Sequence, residues 1–196
     1  MKLSQILTAP NTLTLLRMIF VPFIVIHLVE GHYLWALVVF MIAGFSDGLD
    51  GLLARTLHQQ TLLGQYLDPI ADKLLLSTMF LVLSILHKIP WKYAVIVFSR
   101  DISILAASAV LFAIAGLRNF RPSIFGKANT FSQISAVFFV MLAEIRQQRW
   151  IRVAKITFLH ATFIFTVLSA LHYVILVQQR LRESAHALPP ARPPAA

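Results

Sequence analysis

The chain has 196 residues, of which 58% are hydrophobic and only 13% are charged. Soluble domains are usually about 45–50% apolar and about 25% charged, so this composition excludes an ordinary soluble domain and indicates an integral membrane protein. The absence of cysteine excludes disulfides and thiolate metal sites. The net charge of +9 favours anionic lipid or phosphate partners. Nucleic acid is not expected as a partner, because the chain has no soluble basic domain to hold it.

Apolar runs near the ~20 residues that a helix needs to cross a bilayer recur along the chain. We predict transmembrane helices at 12–30, 34–57, 68–87, 92–116, 127–145 and 154–178. The expected fold class is therefore all-α, with six transmembrane helices. Residues 1–11 are predicted to form an interfacial segment, 12–178 one membrane domain, and the proline-rich 179–196 a disordered tail. Pro69 is expected in the first turn of the third span.

The distribution of lysine and arginine predicts the orientation of these spans. Ten of the 17 basic residues fall on the face that holds both termini and the connection between spans two and three. Six fall on the other face, and Arg100 lies within a span. The bias predicts an inner-membrane protein whose termini and second connection face the cytoplasm. Four basic residues between spans five and six oppose this orientation: Arg146, Arg149, Arg152 and Lys155.

Half of the acidic residues lie in one stretch of the chain, at Asp47, Asp50, Asp68 and Asp72. Helix positions three or four residues apart share a face, so the first two aspartates form one stripe and the last two form another. A short connection makes the two helices antiparallel neighbours, and we expect both pairs to converge near the cytoplasmic end. Ionised carboxylates at membrane depth are costly and mark ion or substrate sites.

The chemistry of this stretch favours a divalent metal. Ligand sets made only of oxygen suit Mg²⁺ or Mn²⁺, with Ca²⁺ as a competing ion, and two ions about 3.5–4 Å apart suit phosphoryl-group chemistry. Gly51 and Ala54 leave room for a close approach, and Arg55 is placed to meet a phosphate. Helix packing alone is the structural alternative, but only Arg55, Lys73 and Arg100 lie near enough to offset four carboxylates.

The segment from Asp47 to Asp72 resembles the signature of the CDP-alcohol phosphatidyltransferases, D-x2-D-G-x2-A-R-x8-G-x3-D-x3-D, at every fixed position. The resemblance extends from about Pro10 to Gln133. It implies a six-helix membrane enzyme with a cytoplasm-facing polar cavity. In that family CDP-diacylglycerol donates its phosphatidyl group to an alcohol, and CMP leaves.

The same resemblance implies roles for individual residues. Asp47, Asp50 and Asp68 are implied to hold metal, while Asp72 reaches the metal site and serves as the catalytic base. The residues implied to contact the cytidine diphosphate group are Gly51, Ala54, Arg55, Gly64, Asn11, Thr14 and Arg17. For the three first-helix residues a polar helix start is an open alternative. Because the chain has no cysteine and no Ser–His constellation, we expect direct displacement without a covalent enzyme intermediate.

The acceptor alcohol is predicted from spans four and five. The candidates for acceptor binding are Arg100, Lys127, Arg118 and Arg121. Ser99-Arg100-Asp101 and Lys127-Ala-Asn129-Thr resemble the cardiolipin synthases of the family, which use phosphatidylglycerol. Phosphatidylglycerophosphate synthases, which use glycerol 3-phosphate, often carry Arg-Glu and a second lysine there, so they rank second. A salt bridge for Arg100, an interfacial anchor for Lys127 and solvated loop charges for the other two arginines are the alternatives.

A different functional class also stays open, because intramembrane carboxylates build cation transporters. A transporter needs polar residues in both halves of the bilayer, whereas these aspartates crowd one end of spans two and three. Release of CMP from CDP-diacylglycerol separates the two classes. The phenylalanine-rich spans five and six are candidates for the subunit contact of a homodimer, and membrane lipids are expected partners.

Overall fold

The structure, a computed structural model, describes residues 9–57, 62–115 and 124–186. Some side chains within these ranges lie outside the description: 9–18, 47–57, 62–72, 105–115, 125, 173, 174, 176, 177 and 179–186. The described ranges contain six α-helices and no strand, which confirms the all-α fold class. In chain order the helices are α1 (Ala9–Val29), α2 (Tyr33–Leu57), α3 (Leu62–Ile85), α4 (Trp91–Ala115), α5 (Ile124–Ile145) and α6 (Arg149–His186).

The start of α3 differs from the sequence prediction. The helix begins at Leu62, whereas the sequence predicts a start at 68. Pro69 therefore lies inside the helix and not in its first turn, so that prediction is wrong. Proline has no backbone N–H, so the carbonyl four residues earlier loses its helical partner. The helix nevertheless runs without interruption from Leu62 to Ile85.

The two ends of the chain also differ from the predicted boundaries. Helix α6 ends at His186, so 179–186 is helical where the sequence predicts a disordered tail. Glutamine, arginine, leucine and glutamate dominate that stretch, and all four are good helix formers. Helix α1 begins at Ala9, so the end of the predicted interfacial segment is helical as well. Residues 1–8 and 187–196 lie outside the described residues.

The helices pack around a shared apolar core. Helix α1 packs against α2 and α3, α5 packs against α2, α3 and α6, and α4 packs against α3 and α6. All six helices supply buried apolar side chains to this core, among them Ile24, Leu28, Phe40, Met79, Phe80, Leu83, Val97, Val137, Met141 and Leu159.

Outside this core the polarity pattern is that of a protein in lipid. Large apolar side chains face outward, such as Trp35 at 60% and Phe45 at 65% exposure, while Asn129 and Thr162 are fully buried. Soluble proteins show the reverse preference for polar residues. Two helical segments of the described chain are long and apolar enough to cross a membrane, Gly126–Ile145 and Arg149–His172. Six crossings stay a prediction.

Two tight turns define one end of the bundle. Gly31, with a φ of 77°, ends α1, and His87, with a φ of 55°, ends α3. In both turns the next N–H reaches back five residues, from His32 to the His27 carbonyl at 2.8 Å and from Lys88 to the Leu83 carbonyl at 2.8 Å. This pattern is the Schellman motif, which places its penultimate residue in the left-handed region.

These turns bring the start of α2 beside the α3–α4 connection. The Lys88 ammonium lies 5.2 Å from the centroid of the Tyr33 ring and 2.6 Å from Glu144 Oε2, near the end of α5. We call the end of the bundle that holds the α1–α2, α3–α4 and α5–α6 connections the turn end. The opposite end, where α2 leads into α3, is the aspartate end. It follows that α2 and α3 run antiparallel.

Candidate functional site

The backbone places the four predicted metal ligands on two antiparallel helices, Asp47 and Asp50 on α2 and Asp68 and Asp72 on α3. At a rise of 1.5 Å per residue, Asp50 lies about 10 Å from the end of α2, and Asp68 lies about 9 Å from the start of α3. Asp47 and Asp72 each lie about 15 Å from the same connection. Asp50 and Asp68 therefore lie at one depth from the connection, and Asp47 and Asp72 lie at a second, greater depth. We call these two depths the matched levels of the aspartate end, and each helix contributes one residue to each level.

The short connection between α2 and α3 and their shared neighbours limit the distance between these two helices. The connection 58–61 lies outside the described residues, but its length holds the helix ends within about 18 Å of each other. In the described part of the chain, α2 and α3 each pack against α1 and α5 and not directly against each other. The four carboxylate side chains are outside the description, so their convergence on metal stays a prediction.

A buried ionic network lies one turn deeper in the bundle than Asp72. Asp101 on α4 is its centre, with a side chain 8% exposed. Its Oδ1 lies 2.7 Å from Arg100 Nη1 and 3.5 Å from Lys73 Nζ, and its Oδ2 accepts a hydrogen bond of 3.1 Å from Ser77. Arg100 Nη2 also donates to Ser169 on α6 at 2.9 Å. The network therefore joins α3, α4 and α6 just beneath the aspartate level.

This network changes the electrostatics expected from the sequence. Lys73 and Arg100 were two of the three cations available to offset the four aspartates, and both are engaged by Asp101. One net positive charge remains from the three groups. Even when Arg55 and Arg17, whose helix α1 packs against α2 and α3, are counted with it, the positive charges number three against four carboxylates. Such an excess of negative charge at membrane depth is stabilised by bound cations, which fits the oxygen-rich donor set of a divalent metal site.

The acceptor candidates have different positions in the fold. The guanidinium of Arg100 is 10% exposed and is held by Asp101 and Ser169, while its buried Nε has no hydrogen-bond partner in the described part of the chain. Lys127 is exposed in the first turn of α5, at the aspartate end. Arg118 and Arg121 lie outside the described residues.

The candidates for cytidine diphosphate contacts share the aspartate end. Asn11, Thr14 and Arg17 belong to the first half of α1, which runs from the aspartate end to the turn end and packs against both aspartate-bearing helices. The remaining candidates stand on the aspartate-bearing helices themselves: Gly51, Ala54 and Arg55 on α2, and Gly64 on α3. All seven side chains are outside the description, so their contacts stay predictions.

A stripe of buried polar side chains between α5 and α6 was missed by the sequence analysis. On α6 it consists of Thr162, Thr166 and Ser169, and on α5 of Asn129, Ser132 and Gln133. Thr166 Oγ1 donates to Asn129 Oδ1 at 2.8 Å. The signal was available, because both sets recur at spacings of three or four residues in otherwise apolar helices. Asn129, interpreted above as an acceptor-side residue, is fully buried in this stripe.

We expect the Asn129–Thr166 hydrogen bond to contribute about 0.6 kcal/mol of coupling, the average for interhelical hydrogen bonds in membranes. Unfolding in detergent should be measured for Asn129→Ala, Thr166→Val and the double variant, because only a double-mutant cycle isolates the pair. Thr157→Val, at an exposed position of α6, is the matched control. A coupling energy of zero would show that the two side chains do not interact in the folded protein.

Residues 7–178 match the family model described as CDP-alcohol phosphatidyltransferase. A Mycobacterium bovis protein named "Putative cardiolipin synthase" is 33% identical over 129 residues, which cover 65% of this chain and 61% of that protein. A Haemophilus influenzae protein named "CDP-diacylglycerol--glycerol-3-phosphate 3-phosphatidyltransferase" is 32% identical over 184 residues, 89% of this chain and 96% of that protein. The human "Cardiolipin synthase (CMP-forming)" is 38% identical over 101 residues, 51% of this chain and 34% of that protein.

The share of each relative's own length that the match covers differs between the three proteins. The chain spans 61% of the mycobacterial relative and 34% of the human one. It spans 96% of the Haemophilus relative. The matches to the two proteins named as cardiolipin synthases are therefore partial, whereas the Haemophilus match covers almost the whole of both chains.

Proposed function

The chain belongs to the CDP-alcohol phosphatidyltransferase family, and from this premise we propose that it transfers a phosphatidyl group from CDP-diacylglycerol to an acceptor alcohol with release of CMP. The observation that carries the proposal is the backbone position of the four aspartates. They stand at two matched levels on antiparallel helices, inside the segment that matches the family. The resemblance found from the sequence is confirmed at the level of the family.

We propose Mg²⁺ or Mn²⁺ as the cofactor, with two ions in the site. Asp47, Asp50 and Asp68 would hold them together with Asp72, because carboxylates are the ligands that these ions prefer. When bound, the ions supply charge neutralisation for the pyrophosphate and for the departing CMP. The engagement of Lys73 and Arg100 by Asp101 supports this proposal, since it leaves the aspartates short of protein cations.

The proposed reaction is a single displacement at phosphorus. The acceptor hydroxyl loses its proton to the Asp72 carboxylate as its oxygen forms a bond to the phosphorus that carries the diacylglycerol. The bond from that phosphorus to the bridging oxygen breaks, and its electron pair leaves with CMP. Arg55 is proposed to hold the diphosphate by charge-assisted hydrogen bonds while the bonds exchange. One displacement inverts the configuration at phosphorus.

Phosphatidylglycerol is the acceptor that we propose first. Its phosphodiester carries one negative charge, whereas the phosphomonoester of glycerol 3-phosphate carries nearly two at neutral pH. Among the described acceptor candidates Arg100 is paired with Asp101 and position 129 is a neutral, buried asparagine, which leaves Lys127 as the one exposed cation. Glycerol 3-phosphate is the second candidate, favoured by the nearly full-length match to the Haemophilus relative.

The setting of the reaction is a membrane, since the family is membrane-bound and the outer surface of the bundle is apolar. We propose a multi-pass inner-membrane protein with its aspartate end in the cytoplasm, where nucleotide-linked lipid is handled. The lysine and arginine bias supports this orientation. A homodimer is proposed through α5 and α6, whose outward residues include Phe131 and Phe163.

The proposed function is tested with the purified chain, CDP-diacylglycerol and either phosphatidylglycerol or glycerol 3-phosphate. We expect CMP together with cardiolipin in the first reaction and little product in the second, with lipids identified by mass. Exclusive use of glycerol 3-phosphate would reverse the order of the two acceptors. Chelation of divalent cations should abolish CMP formation, and added Mg²⁺ or Mn²⁺ should restore it.

The same assay separates the enzyme from a cation transporter. If no acceptor yields CMP while reconstituted vesicles show a cation flux that depends on Asp47 and Asp50, the transferase proposal is wrong. Ion flux without any nucleotide product is the expected behaviour of a transporter, because its carboxylates serve only the passing ion.

A further inference from the structure

A basic cavity lies at the turn end, on the opposite side of the bundle from the aspartates. Its volume is about 670 Å³, and it opens between the α3–α4 and α5–α6 connections. Four cationic side chains line it: Lys88, Lys92, Arg152 and Lys155. A cavity of this size is typical of small-molecule sites, which range over about 300–1,000 Å³, and is far larger than a single inorganic phosphate needs.

The charges in the cavity are not balanced by protein groups. Glu144 is the one carboxylate in its lining, and its Oε2 lies 2.6 Å from the Lys88 ammonium. This contact raises the pKa of Lys88, so that residue stays cationic at any physiological pH. Lys92, Arg152 and Lys155 have no ion-pair partner among the described residues. The lining therefore has four basic side chains against one carboxylate, and this excess of positive charge favours an anionic ligand.

The lining is also amphipathic. The lining also includes the apolar side chains of Ile156 and Leu159 and the ring of Tyr93. Leu159 and Tyr93 are almost fully buried, at 4% and 3% exposure, whereas Ile156 is 51% exposed. A ligand that fills this cavity therefore meets both basic and apolar side chains. Phospholipids offer a partner for both, whereas soluble phosphates do not.

The cavity stands at the level expected for lipid head groups. Trp91 begins α4 next to Lys92, and Trp150 lies in the first turn of α6; their side chains are 49% and 59% exposed. Tryptophan concentrates at the boundary between the hydrocarbon core and water. The outward-facing Val153, 57% exposed, lies one residue beyond Arg152 and continues the apolar surface into the bilayer.

We propose that this cavity binds the head-group phosphate of an anionic phospholipid from the leaflet opposite the aspartate end. The proposal accounts for two of the four basic residues that oppose the predicted orientation, Arg152 and Lys155. Four of the six cations on the minority face, Lys88, Lys92, Arg152 and Lys155, line this one cavity. They are at the turn end because they form a binding site. Their position is therefore no evidence about which end of the bundle faces the cytoplasm. The site rests on described side chains alone and is independent of the proposed catalytic activity.

The test compares two double variants that remove equal charge near the start of α6. R152Q/K155Q removes two cations from the cavity, whereas R146Q/R149Q removes two that do not line it. The delipidated full chain in detergent is titrated with phosphatidic acid and followed by native mass spectrometry. Phosphatidic acid is the probe because it lacks an alcohol and a nucleotide, so it is neither the acceptor nor the donor of the proposed reaction. Equal melting temperatures establish that both variants fold.

We expect R152Q/K155Q to weaken phosphatidic acid binding by about tenfold or more, because each lost group makes charge-assisted contacts with the phosphate. R146Q/R149Q should bind as the unaltered chain does. Equal weakening in both variants would reduce the effect to general electrostatic attraction and overturn the proposal. Equally tight binding of phosphatidylcholine, or of inorganic phosphate or glycerol phosphate in place of the lipid, would overturn it as well.

Discussion

Replacement of Asp72 by asparagine is expected to lower the rate of CMP formation by about 10²- to 10⁴-fold, the contribution typical of a positioned proton acceptor. Asparagine keeps the size of the side chain but has no carboxylate to take the proton of the acceptor hydroxyl. The rate is measured as CMP released from CDP-diacylglycerol in the presence of saturating phosphatidylglycerol. The helix should be preserved, because aspartate and asparagine have similar helix propensities.

Two comparisons make the Asp72 result decisive. Glu30→Gln is the matched control, since it removes an exposed carboxylate at the turn end, where its one described ionic partner is His32 at 3.2 Å. Its rate should be unchanged. Raising the Mg²⁺ or Mn²⁺ concentration tests whether Asp72 acts mainly as a ligand. Full recovery of the rate at high metal would assign Asp72 to metal binding alone and leave the base to another group.

Replacement of Asp101 by asparagine is expected to lower the free energy of unfolding by about 3–5 kcal/mol, the loss typical when one partner of a buried ion pair is removed. The change leaves the guanidinium of Arg100, 10% exposed, and the ammonium of the partly buried Lys73, 24% exposed, beside a neutral amide. The carboxylate that now accepts from Arg100 Nη1 at 2.7 Å and from Ser77 at 3.1 Å is lost as well. Reversible unfolding in mixed detergent micelles measures the change.

Ser77→Ala provides the control for Asp101. It removes one neutral donor from the same carboxylate and leaves both cations paired, so its effect should stay below about 1.7 kcal/mol, the largest value found for interhelical hydrogen bonds of this kind. If Asp101→Asn is no more destabilising than Ser77→Ala, the ion pairs add nothing to stability. We also expect Asp101→Asn to reduce activity, because α3 carries both Lys73 and the adjacent Asp72.

The network around Asp101 and the proposed site are linked through α3. Asp72 and Lys73 are consecutive residues, separated by a rotation of about 100° around the helix axis. The contact between Lys73 and Asp101 therefore restrains the rotation of α3 at the level where Asp72 stands. Ser169 extends the restraint to α6 through Arg100. A rigid support of this kind is what a site needs if its ligands are to keep their positions during the reaction.

The partner of Arg100 in Ser99-Arg100-Asp101 differs between the sequence prediction and the structure. From the sequence, Arg100 is a candidate for the acceptor phosphate, with a salt bridge to one of the motif aspartates as the alternative. The structure shows a salt bridge, but to the adjacent Asp101. Neighbouring residues on a helix do not normally face each other. A contact between them was therefore not expected, and it forms here because both side chains are confined between α3 and α6.

The basic residues in the first turns of α6 show the same limit of a pattern counted along the chain. Counted along the chain, Arg152 and Lys155 only weaken the orientation bias. In the fold they meet Lys88 and Lys92, which are more than fifty residues away in sequence, at one cavity. Their grouping depends on the packing of α4 against α6, and residue counts carry no information about that packing.

The sequence by itself determined the helical fold class, the membrane setting, the family and the helices on which the aspartates stand. These properties follow from composition, from the period of the α-helix and from a motif at fixed spacing, all of which are local along the chain. The tertiary structure decided which cations remain available, since Asp101 engages both Lys73 and Arg100. It also decided which scattered lysines and arginines share a cavity. Ion pairing and cavity formation join residues distant in sequence, and only the packing of helices brings such residues within a few ångströms.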